Sequence, residues 1–278
     1  MFGSQPKGEM VAPGWFFRPM SPKDVPAVLK IIETHDEDDA EWAAETYGNR
    51  GHHGQFVLTE EKRVAGVSGY SLAEGTDNAY WISWTYIDEA SQGQGLGTAL
   101  LERVIVKLQE EGARKVFVST SDYEEEGTNL YHNAVRLYES AGFQLEVKTP
   151  DFYEKGESQL IYGLSLDAKQ APPIEFANRS EESIGLTRLF RIDETEDCAG
   201  LDWEFVEERS SFTVEDLAMM LNEARTGQAR CLFVSFASDL TQALPVLERC
   251  QMKEAGRLKD FWANGIDDVR FSFACTEA

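Results

Sequence analysis

A glycine-rich stretch, YIDEASQGQGLGTALLERV, lies between a strand-like run and a helical run. Its glycines occupy alternate positions, at Gly93, Gly95 and Gly97. A helix that begins at Leu96 leaves its first amide N–H groups unpaired, and residues without side chains just before it let a ligand approach those groups closely. The helix dipole and the converging N–H groups favour a phosphate or pyrophosphate, with Gln92 and the Thr98 hydroxyl as further donors. The stretch therefore predicts an anion-binding loop. The plainer alternative is a glycine-rich turn that only joins strand to helix.

Two familiar phosphate-binding loops fit this stretch poorly. A Walker A loop ends in Gly-Lys followed by Ser or Thr, which is absent, and a dinucleotide fingerprint needs a third glycine where this chain has Thr98. The preceding strand also lies in an apparent antiparallel hairpin, whereas a dinucleotide fold opens with a parallel strand–helix–strand unit. Another pyrophosphate-containing cofactor is the remaining interpretation.

Two motifs together resemble a known family. The segment SQGQGLG is similar to the Q/R-x-x-G-x-G/A signature of the GNAT superfamily of acyl-CoA-dependent N-acetyltransferases, matched by Gln92, Gly95 and Gly97. Downstream, NAVRLYESAGF (Asn133 to Phe143) looks like the family's N-x-x-A/x-x-L-Y-x-x-x-G-F helix and strand start. The resemblance covers roughly residues 15–166, with the motifs in the family's order.

The resemblance implies a cofactor and a set of site residues. The cofactor would be acetyl-CoA, with its pyrophosphate held by the loop residues Gln92, Gly93, Gln94, Gly95, Leu96, Gly97 and Thr98. The pantetheine arm would pair with backbone groups of Tyr86 and Ile87, and a backbone N–H there would polarise the thioester carbonyl. Tyr138 matches the family's usual general acid, which protonates the departing thiolate, and Asn133 would contact the pantetheine or hold its helix in place. The alternative for Tyr138 is a ring that only packs on the sheet. No metal is implied.

The implied reaction is acetyl transfer to a primary amine, with a small molecule expected as the acceptor and direct attack in a ternary complex. The acceptor is expected between the first two helices and the final hairpin, in the carboxylate-rich segments His35–Trp42 and Pro150–Glu157. These would attract a cationic amine, although acids are also favoured at any helix N-terminus. Trp81, Trp84 and Tyr86 would line the acceptor pocket or belong to the sheet core.

The sequence identifies no clear base for the incoming ammonium. Asp88 and Glu89 lie close to the cofactor loop and His132 adjoins Asn133, but each is better explained as a solvated surface residue. The alternative function is therefore a non-catalytic acyl-CoA-binding sensor or scaffold.

The elements that must position these residues alternate in a readable order. Hydrophobic periodicity predicts seven strands over Trp15–Ser21, Gln55–Glu60, Arg63–Ala73, Tyr80–Asp88, Arg114–Ser121, Phe143–Lys148 and Gln159–Leu166. Helices are predicted over Pro22–His35, Asp38–Gly48, Leu96–Gly112 and Leu130–Gly142. The unit from Tyr80 to Ser121 should be a right-handed parallel crossover. The prediction is an α/β (α+β) fold with a mixed, mostly antiparallel seven-stranded sheet flanked by helices, in a domain spanning residues 1–167.

A second, smaller domain is predicted over residues 174–278, after a proline-containing linker near Ala168–Pro173. Its segment KDFWANG resembles PDFYEKG of the first half, and residues 142–151 align with residues 251–260 without a gap. We expect strands, two helices and a final hairpin, as in a truncated, degenerate copy of the first domain. The equivalent of the cofactor loop, EERSSFTVEDL, has no glycine, so this copy should bind no cofactor. Such a copy would either cover the acceptor site or extend the sheet, and the sequence does not choose between these.

Composition excludes several classes of protein. The net charge of −23 would repel nucleic acid and anionic membranes, and both halves of the chain are acidic. No run reaches the roughly 18 apolar residues of a membrane span, and no signal peptide is recognisable, so a cytoplasmic location is expected. The expected oligomeric state is a monomer or a homodimer. The four cysteines (Cys198, Cys231, Cys250 and Cys275) lack C-x-x-C spacing and are expected to be buried free thiols.

Overall fold

The computed structural model describes residues 8–49, 51–125, 127–129, 131–166, 179, 182–207 and 212–275, which form two large sheets and a short hairpin. The strands of the first half are β1 (Glu9–Ala12), β2 (Trp15–Pro19), β3 (Gln55–Glu60), β4 (Arg63–Leu72), β5 (Ala79–Ile87), β6 (Lys115–Ser121), β7 (Glu124–Glu125), β8 (Thr128–Asn129), β9 (Gln144–Thr149) and β10 (Gln159–Ser165). Its helices are α1 (Val25–Glu33), α2 (Glu37–Asn49), α3 (Leu96–Glu110) and α4 (His132–Ser140).

The first sheet has the strand order β1-β2-β3-β4-β5-β6-β10-β9. All of its described neighbours pair antiparallel except β5 and β6, so the predicted mixed, mostly antiparallel sheet is confirmed. The predicted count of seven strands is wrong, because β1 adds an eighth strand at the edge. This strand has only four residues without alternating polarity, and a turn containing Gly14 folds it onto β2.

Helices cover both faces of the first sheet. Alternate residues of β3 separate the faces: Phe56 and Leu58 pack in the cluster that contains α3, whereas Val57 packs in the cluster that contains α1. The buried face of α3 carries the residues predicted for it, Leu100, Leu101, Val104 and Leu108. No helix in the described ranges is long and apolar enough to cross a membrane.

The second half forms a smaller sheet of five strands. Its elements are β11 (Ser183–Arg191), β12 (Cys198–Val206), α5 (Val214–Thr226), β13 (Cys231–Ala237), α6 (Leu244–Arg249), β14 (Lys253–Ala263) and β15 (Ile266–Ala274). The strand order β11-β12-β13-β15-β14 corresponds to the order β4-β5-β6-β10-β9 in the first sheet. In each set, the second and third strands are the parallel pair and the other neighbours are antiparallel.

The four cysteines are free thiols in this structure. Cys198 is buried, whereas Cys231, Cys250 and Cys275 are only partly buried. The expectation of burial therefore holds for one of the four.

The residue before β6 and the residue before β13 are both arginines, and each of them joins its own sheet to the other sheet. In the first half, Arg114 donates Nε to the carbonyl oxygen of Asp77 in its own domain at 3.0 Å. Its other nitrogens donate across the interface to the carbonyl oxygens of Asp260 at 2.6 Å and Phe261 at 3.2 Å. Because a planar guanidinium presents several donors at once, one buried side chain links the two domains.

Arg230 makes the reciprocal set of contacts from the second half. Its Nε donates to the carbonyl oxygen of Glu196 in its own domain at 3.1 Å. Its Nη atoms donate to the carbonyl oxygens of Asp151, Phe152 and Tyr153 across the interface. The two domains therefore contact each other through equivalent residues in both directions.

Aromatic side chains repeat this reciprocity. The ring of Phe261, from the second domain, lies 5.4 Å from Phe117 on β6, and the ring of Phe152, from the first domain, lies 5.2 Å from Phe233 on β13. Near the centre of the contact, a Cβ at Gly256 would lie 2.7 Å from Val147 Cγ1. The close approach of β9 and β14 thus requires glycine at this position.

We expect Arg114→Met to lower the free energy of unfolding by about 2–4 kcal/mol, because buried carbonyl groups on both sides of the interface would lose their donor. Urea unfolding followed by tryptophan fluorescence measures the change. The matched control is Arg188→Met, since the Arg188 side chain is 67% exposed and its pair with Asp202 should contribute within about 0.5 kcal/mol. Equal effects of the two substitutions would contradict the structural role of Arg114.

Candidate active site

Two of the three glycines in the glycine-rich loop have a backbone conformation that favours glycine. Gly93 and Gly95 have φ of +72° and +75°, in the left-handed region, and Gly95 is the N-cap residue of α3. A Cβ at either glycine would meet nothing within 4 Å, so the space in front of both is open. Gly97 differs, since a Cβ there would lie 3.7 Å from Leu137 and 3.8 Å from Ile87 in ordinary contact. The loop thus leaves the first amides of α3 accessible, with no side-chain cap.

The side chain of Gln92 points back towards β5. Its Nε2 donates to the carbonyl oxygen of Ile87 at 3.2 Å, and Nε2 of His35 lies 3.0 Å from the same oxygen. The His35 ring also stacks on Tyr86, with centroids 5.4 Å apart. Sequence analysis missed His35 as a neighbour of the loop, because 52 residues separate it from Ile87.

Strands β5 and β6 separate next to this loop. Their parallel pairing covers only three residues on each strand, with register pairs Ala79–Lys115, Tyr80–Val116 and Trp81–Phe117. β5 continues to Ile87 and remains paired with β4 on its other edge. The backbone of Tyr86 and Ile87, predicted to meet the pantetheine arm, therefore lies on a strand whose β6-facing edge has no described ladder partner beyond Trp81.

Tyr138 is the buried residue of α4. Burial raises the pKa of its hydroxyl to about 12, although a hydrogen bond with Thr85 of β5 acts in the opposite direction. Thr85 in turn lies 2.8 Å from the Ser68 hydroxyl. At neutral pH the Tyr138 hydroxyl is therefore protonated and can donate a proton. Asn133 lies on the first turn of the same helix and is exposed.

A cavity of about 1030 Å³ opens beside Tyr138 and the separated strands. All three aromatic residues predicted near the acceptor, Trp81, Trp84 and Tyr86, line it. Trp84 has a positive φ of +34°, next to a register shift between β4 and β5. The Tyr86 hydroxyl donates to Asp39 at 2.5 Å, and burial is the main cause that raises the pKa of Asp39.

The two carboxylate-rich segments lie on the same cavity. The start of α2 and the residue before it supply Asp36, Asp38, Asp39 and Glu41. The β9–β10 loop supplies Glu154 and Glu157, and the Ser121 hydroxyl donates to Glu157. The candidate bases named from sequence lie elsewhere: Asp88 pairs with Arg63 at 2.8 Å, and Glu89 and His132 are exposed and do not line the cavity.

The second domain also contributes to the cavity wall, which is one of the two arrangements that the sequence left open. Its β11–β12 loop supplies Asp193, Glu194 and Thr195. Thr195 shapes this loop, since its hydroxyl donates to the Ile192 carbonyl at 2.7 Å and accepts from the Cys198 amide at 3.1 Å. No local pattern could have revealed this contribution, because it depends on how the two sheets pack.

The corresponding region of the second domain is built differently. The indole of Trp203 on β12 donates to the carbonyl oxygen of Ser235 on β13 at 2.7 Å, and its ring stacks on Phe236. At the start of α5, Thr213 and Asp216 form a capping box in which each side chain accepts from the other's backbone N–H. Trp203 thus bridges the two strands, and side chains satisfy two amides at the start of α5, whereas α3 has no side-chain cap.

Comparison with protein families agrees with this geometry. Residues 24–143 match the family model described as the acetyltransferase (GNAT) family. The matched range runs from the residue before α1 to the residue before β9, and it includes the glycine-rich loop and Tyr138. This part of the chain therefore matches the GNAT acetyltransferase family, and the predicted resemblance is confirmed over this range.

Solved structures resemble about half of the chain. A GNAT-family protein from Desulfovibrio desulfuricans is 28% identical, with 54% of this chain and 98% of that chain covered and a TM-score of 0.48. A Salmonella typhimurium protein solved with its cofactor acetyl-CoA is 21% identical over 57% and 98% of the two chains, with a TM-score of 0.45. The ribosomal-protein-S18-alanine N-acetyltransferase of Escherichia coli is 21% identical over 58% and 99%, with a TM-score of 0.46. No curated protein matches the chain in sequence.

Proposed function

We propose that this chain transfers the acetyl group of acetyl-CoA to a primary amine by direct attack in a ternary complex. One observation carries the proposal: the open N-terminus of α3 lies against Ile87 at the end of β5, and Thr85 and Tyr86 of the same strand line a cavity together with Tyr138. An anion site, a strand edge free to pair and a protonated hydroxyl are the parts that acetyl transfer from a pyrophosphate-containing thioester needs.

Each part has a role in the proposal. The amides of Leu96, Gly97 and Thr98 hold the pyrophosphate, because the conformation at Gly93 and Gly95 keeps side chains away from it. Backbone groups of Tyr86 and Ile87 pair with the pantetheine arm.

The chemical step then needs a nucleophile and an acid. The amine nitrogen attacks the thioester carbon, the C–N bond forms, and the C–S bond breaks. The Tyr138 hydroxyl gives its proton to the departing sulfur, and the proton displaced from the amine passes to a lining carboxylate or to water. A tyrosine whose pKa is about 12 is a strong enough base after the step to recover its proton from solvent.

For the second half, we propose a degenerate GNAT-like domain over residues 174–278 that binds no cofactor and packs on the first domain over residues 1–167. The matching strand order and the reciprocal contacts of Arg114 and Arg230 support a duplication. Equivalent turns add to this, since Asp151 accepts from the Gly156 amide and Asp260 from the Gly265 amide. The indole of Trp203 that joins β12 to β13, and the capping box that satisfies amides of α5, support the absence of a cofactor site in this half.

Calorimetry with acetyl-CoA, followed by a thiol-release assay over a panel of amines, tests the proposal. We expect saturable binding at one site per chain and thiol release that depends on the amine. Failure to bind acetyl-CoA would overturn the assignment of the loop.

A non-catalytic acyl-CoA sensor is the second candidate function. It is favoured by one observation, that the candidate bases Asp88, Glu89 and His132 lie outside the cavity. Binding of acetyl-CoA without thiol release on any amine would support the sensor and contradict acetyl transfer.

A further inference from the structure

Among the residues that the structure describes, eight carboxylates and no lysine, arginine or histidine line the cavity beside Tyr138. They come from three separate segments: the start of α2, the β9–β10 loop and the β11–β12 loop of the second domain. A group of acids on a surface would not define a site. These acids surround the cavity into which the proposed acid, Tyr138, also opens, so any acceptor must bind among them.

None of the eight forms an ion pair with a basic residue in the described ranges of the chain. Elsewhere the buried acids are paired, as Asp24 is with Arg18 at 2.7 Å and Glu146 with Lys115 at 2.6 Å. Inside the cavity the negative charges face each other instead. Reduced hydration and neighbouring carboxylates raise the pKa of Glu157 and of Glu194. A cationic ligand would relieve this repulsion.

The shape and the apolar lining restrict the kind of cation. A cavity of about 1030 Å³ exceeds what a thioester end and a short monoamine would fill. Trp81, Trp84 and Tyr123 line it as well, and aromatic faces contact both methylene chains and ammonium groups. The cavity has carboxylates on several sides and aromatic side chains between them. This arrangement suits a flexible aliphatic chain that has an ammonium group at each end.

We infer that the acceptor is an aliphatic polyamine with at least two ammonium groups, and that Glu194 of the second domain is a specificity-determining residue for the ammonium that is not acetylated. The inference rests on the proposed acetyl transfer. It also gives the second domain a role: the β11–β12 loop supplies part of the acceptor site in place of a cofactor site. An acceptor peptide without basic side chains, by contrast, presents one terminal ammonium followed by neutral backbone and would leave the distant carboxylates unpaired.

Two amines with the same five-carbon chain, one with a second ammonium group and one without, separate the effect of the acceptor's charge from the effect of its size. We expect kcat/KM for 1,5-diaminopentane to exceed that for pentylamine by roughly 100-fold in the thiol-release assay, since the second ammonium gains charge-assisted hydrogen bonds. Glu194→Gln should raise KM for the diamine about 10-fold with little change in kcat, and should leave pentylamine unaffected. The matched control is Glu223→Gln on the exposed face of α5, which should change neither amine.

A direct measurement of amine binding tests the inference without relying on enzymatic turnover. Calorimetry with 1,5-diaminopentane and pentylamine, in the presence of CoA, should show tighter binding of the diamine and its weakening in Glu194→Gln. Equal binding and equal kcat/KM for the two amines would overturn the inference while acetyl transfer stands. Selective diamine binding without thiol release would contradict acetyl transfer, and with it the role of the diamine as acceptor, and would leave only a diamine-binding site. A tested acceptor peptide with higher kcat/KM than the diamine would also overturn it.

Discussion

Gly95→Val is expected to abolish acetyl-CoA binding and leave the chain folded. A Cβ at Gly95 would meet no protein atom within 4 Å, so the substitution creates no clash inside the domain. It forces a β-branched residue to a φ of +75°, and it places side-chain atoms where the pyrophosphate must approach the amides of α3. The strain alone should cost about 1–2 kcal/mol of stability, whereas calorimetry should detect no acetyl-CoA binding.

Gly112→Val provides the matched control for this strain. Gly112 also has a positive φ, of +80°, and a Cβ there would also meet nothing within 4 Å. It follows the opposite end of α3, so the whole length of this helix, about 22 Å, separates it from Gly95. Both variants should therefore lose similar stability in urea unfolding, and only Gly95→Val should lose acetyl-CoA binding. Loss of binding in both variants would mean that helix strain, and not access to the amides, controls affinity.

Local patterns in the sequence predicted the parts of the site that depend on neighbouring residues. The glycines before Leu96 predicted the start of α3, because a helix start and a left-handed turn are properties of a few consecutive residues. The apolar spacing of Leu100, Leu101, Val104 and Leu108 likewise predicted the buried face of this helix.

Contacts between distant residues could not be predicted in this way. The placement of His35 against Ile87 and the entry of Asp193 and Glu194 into the cavity depend on sheet packing. The sequence did indicate the strands and helices of the second half, but the reciprocal arginine contacts join residues 146 positions apart (Arg114 and Asp260). Residues so far apart share no periodicity that a local pattern could reveal.

The length of each strand was predicted better than its irregularities. The register shift between β4 and β5 falls between Val67 and Gly69, and the residue with positive φ on β5 is Trp84 rather than a glycine. Such a shift changes which side chains of β5 face the cavity, because side chains of a strand alternate between faces. This is why the sequence left open whether Trp81, Trp84 and Tyr86 belong to the pocket or to the core, and why the structure was needed to place all three on the cavity.

Tyr138→Phe is expected to lower kcat by roughly 100-fold while the affinity for acetyl-CoA stays unchanged. The phenylalanine ring keeps the packing of the buried side chain and removes only the hydroxyl that would protonate the departing thiolate. Because burial holds the pKa of Tyr138 at about 12, the wild-type hydroxyl stays protonated from pH 6 to pH 9 and this group should cause no loss of activity on the alkaline side of that range. Thiol-release kinetics across this range, together with calorimetry, measure both effects.

Tyr47→Phe is the control for Tyr138→Phe. It separates the loss of the proposed general acid from the loss of any buried tyrosine hydroxyl. Tyr47 is a buried residue of α2 whose hydroxyl has no hydrogen-bond partner among the described residues. Removing an unsatisfied buried hydroxyl should leave kcat unchanged and raise the free energy of unfolding by about 1 kcal/mol. The Tyr138 hydroxyl, in contrast, is bonded to Thr85, so its loss should lower stability slightly. Wild-type turnover in Tyr138→Phe would show that the thiolate leaves without this acid, and that Tyr138 serves only to pack α4 against the sheet.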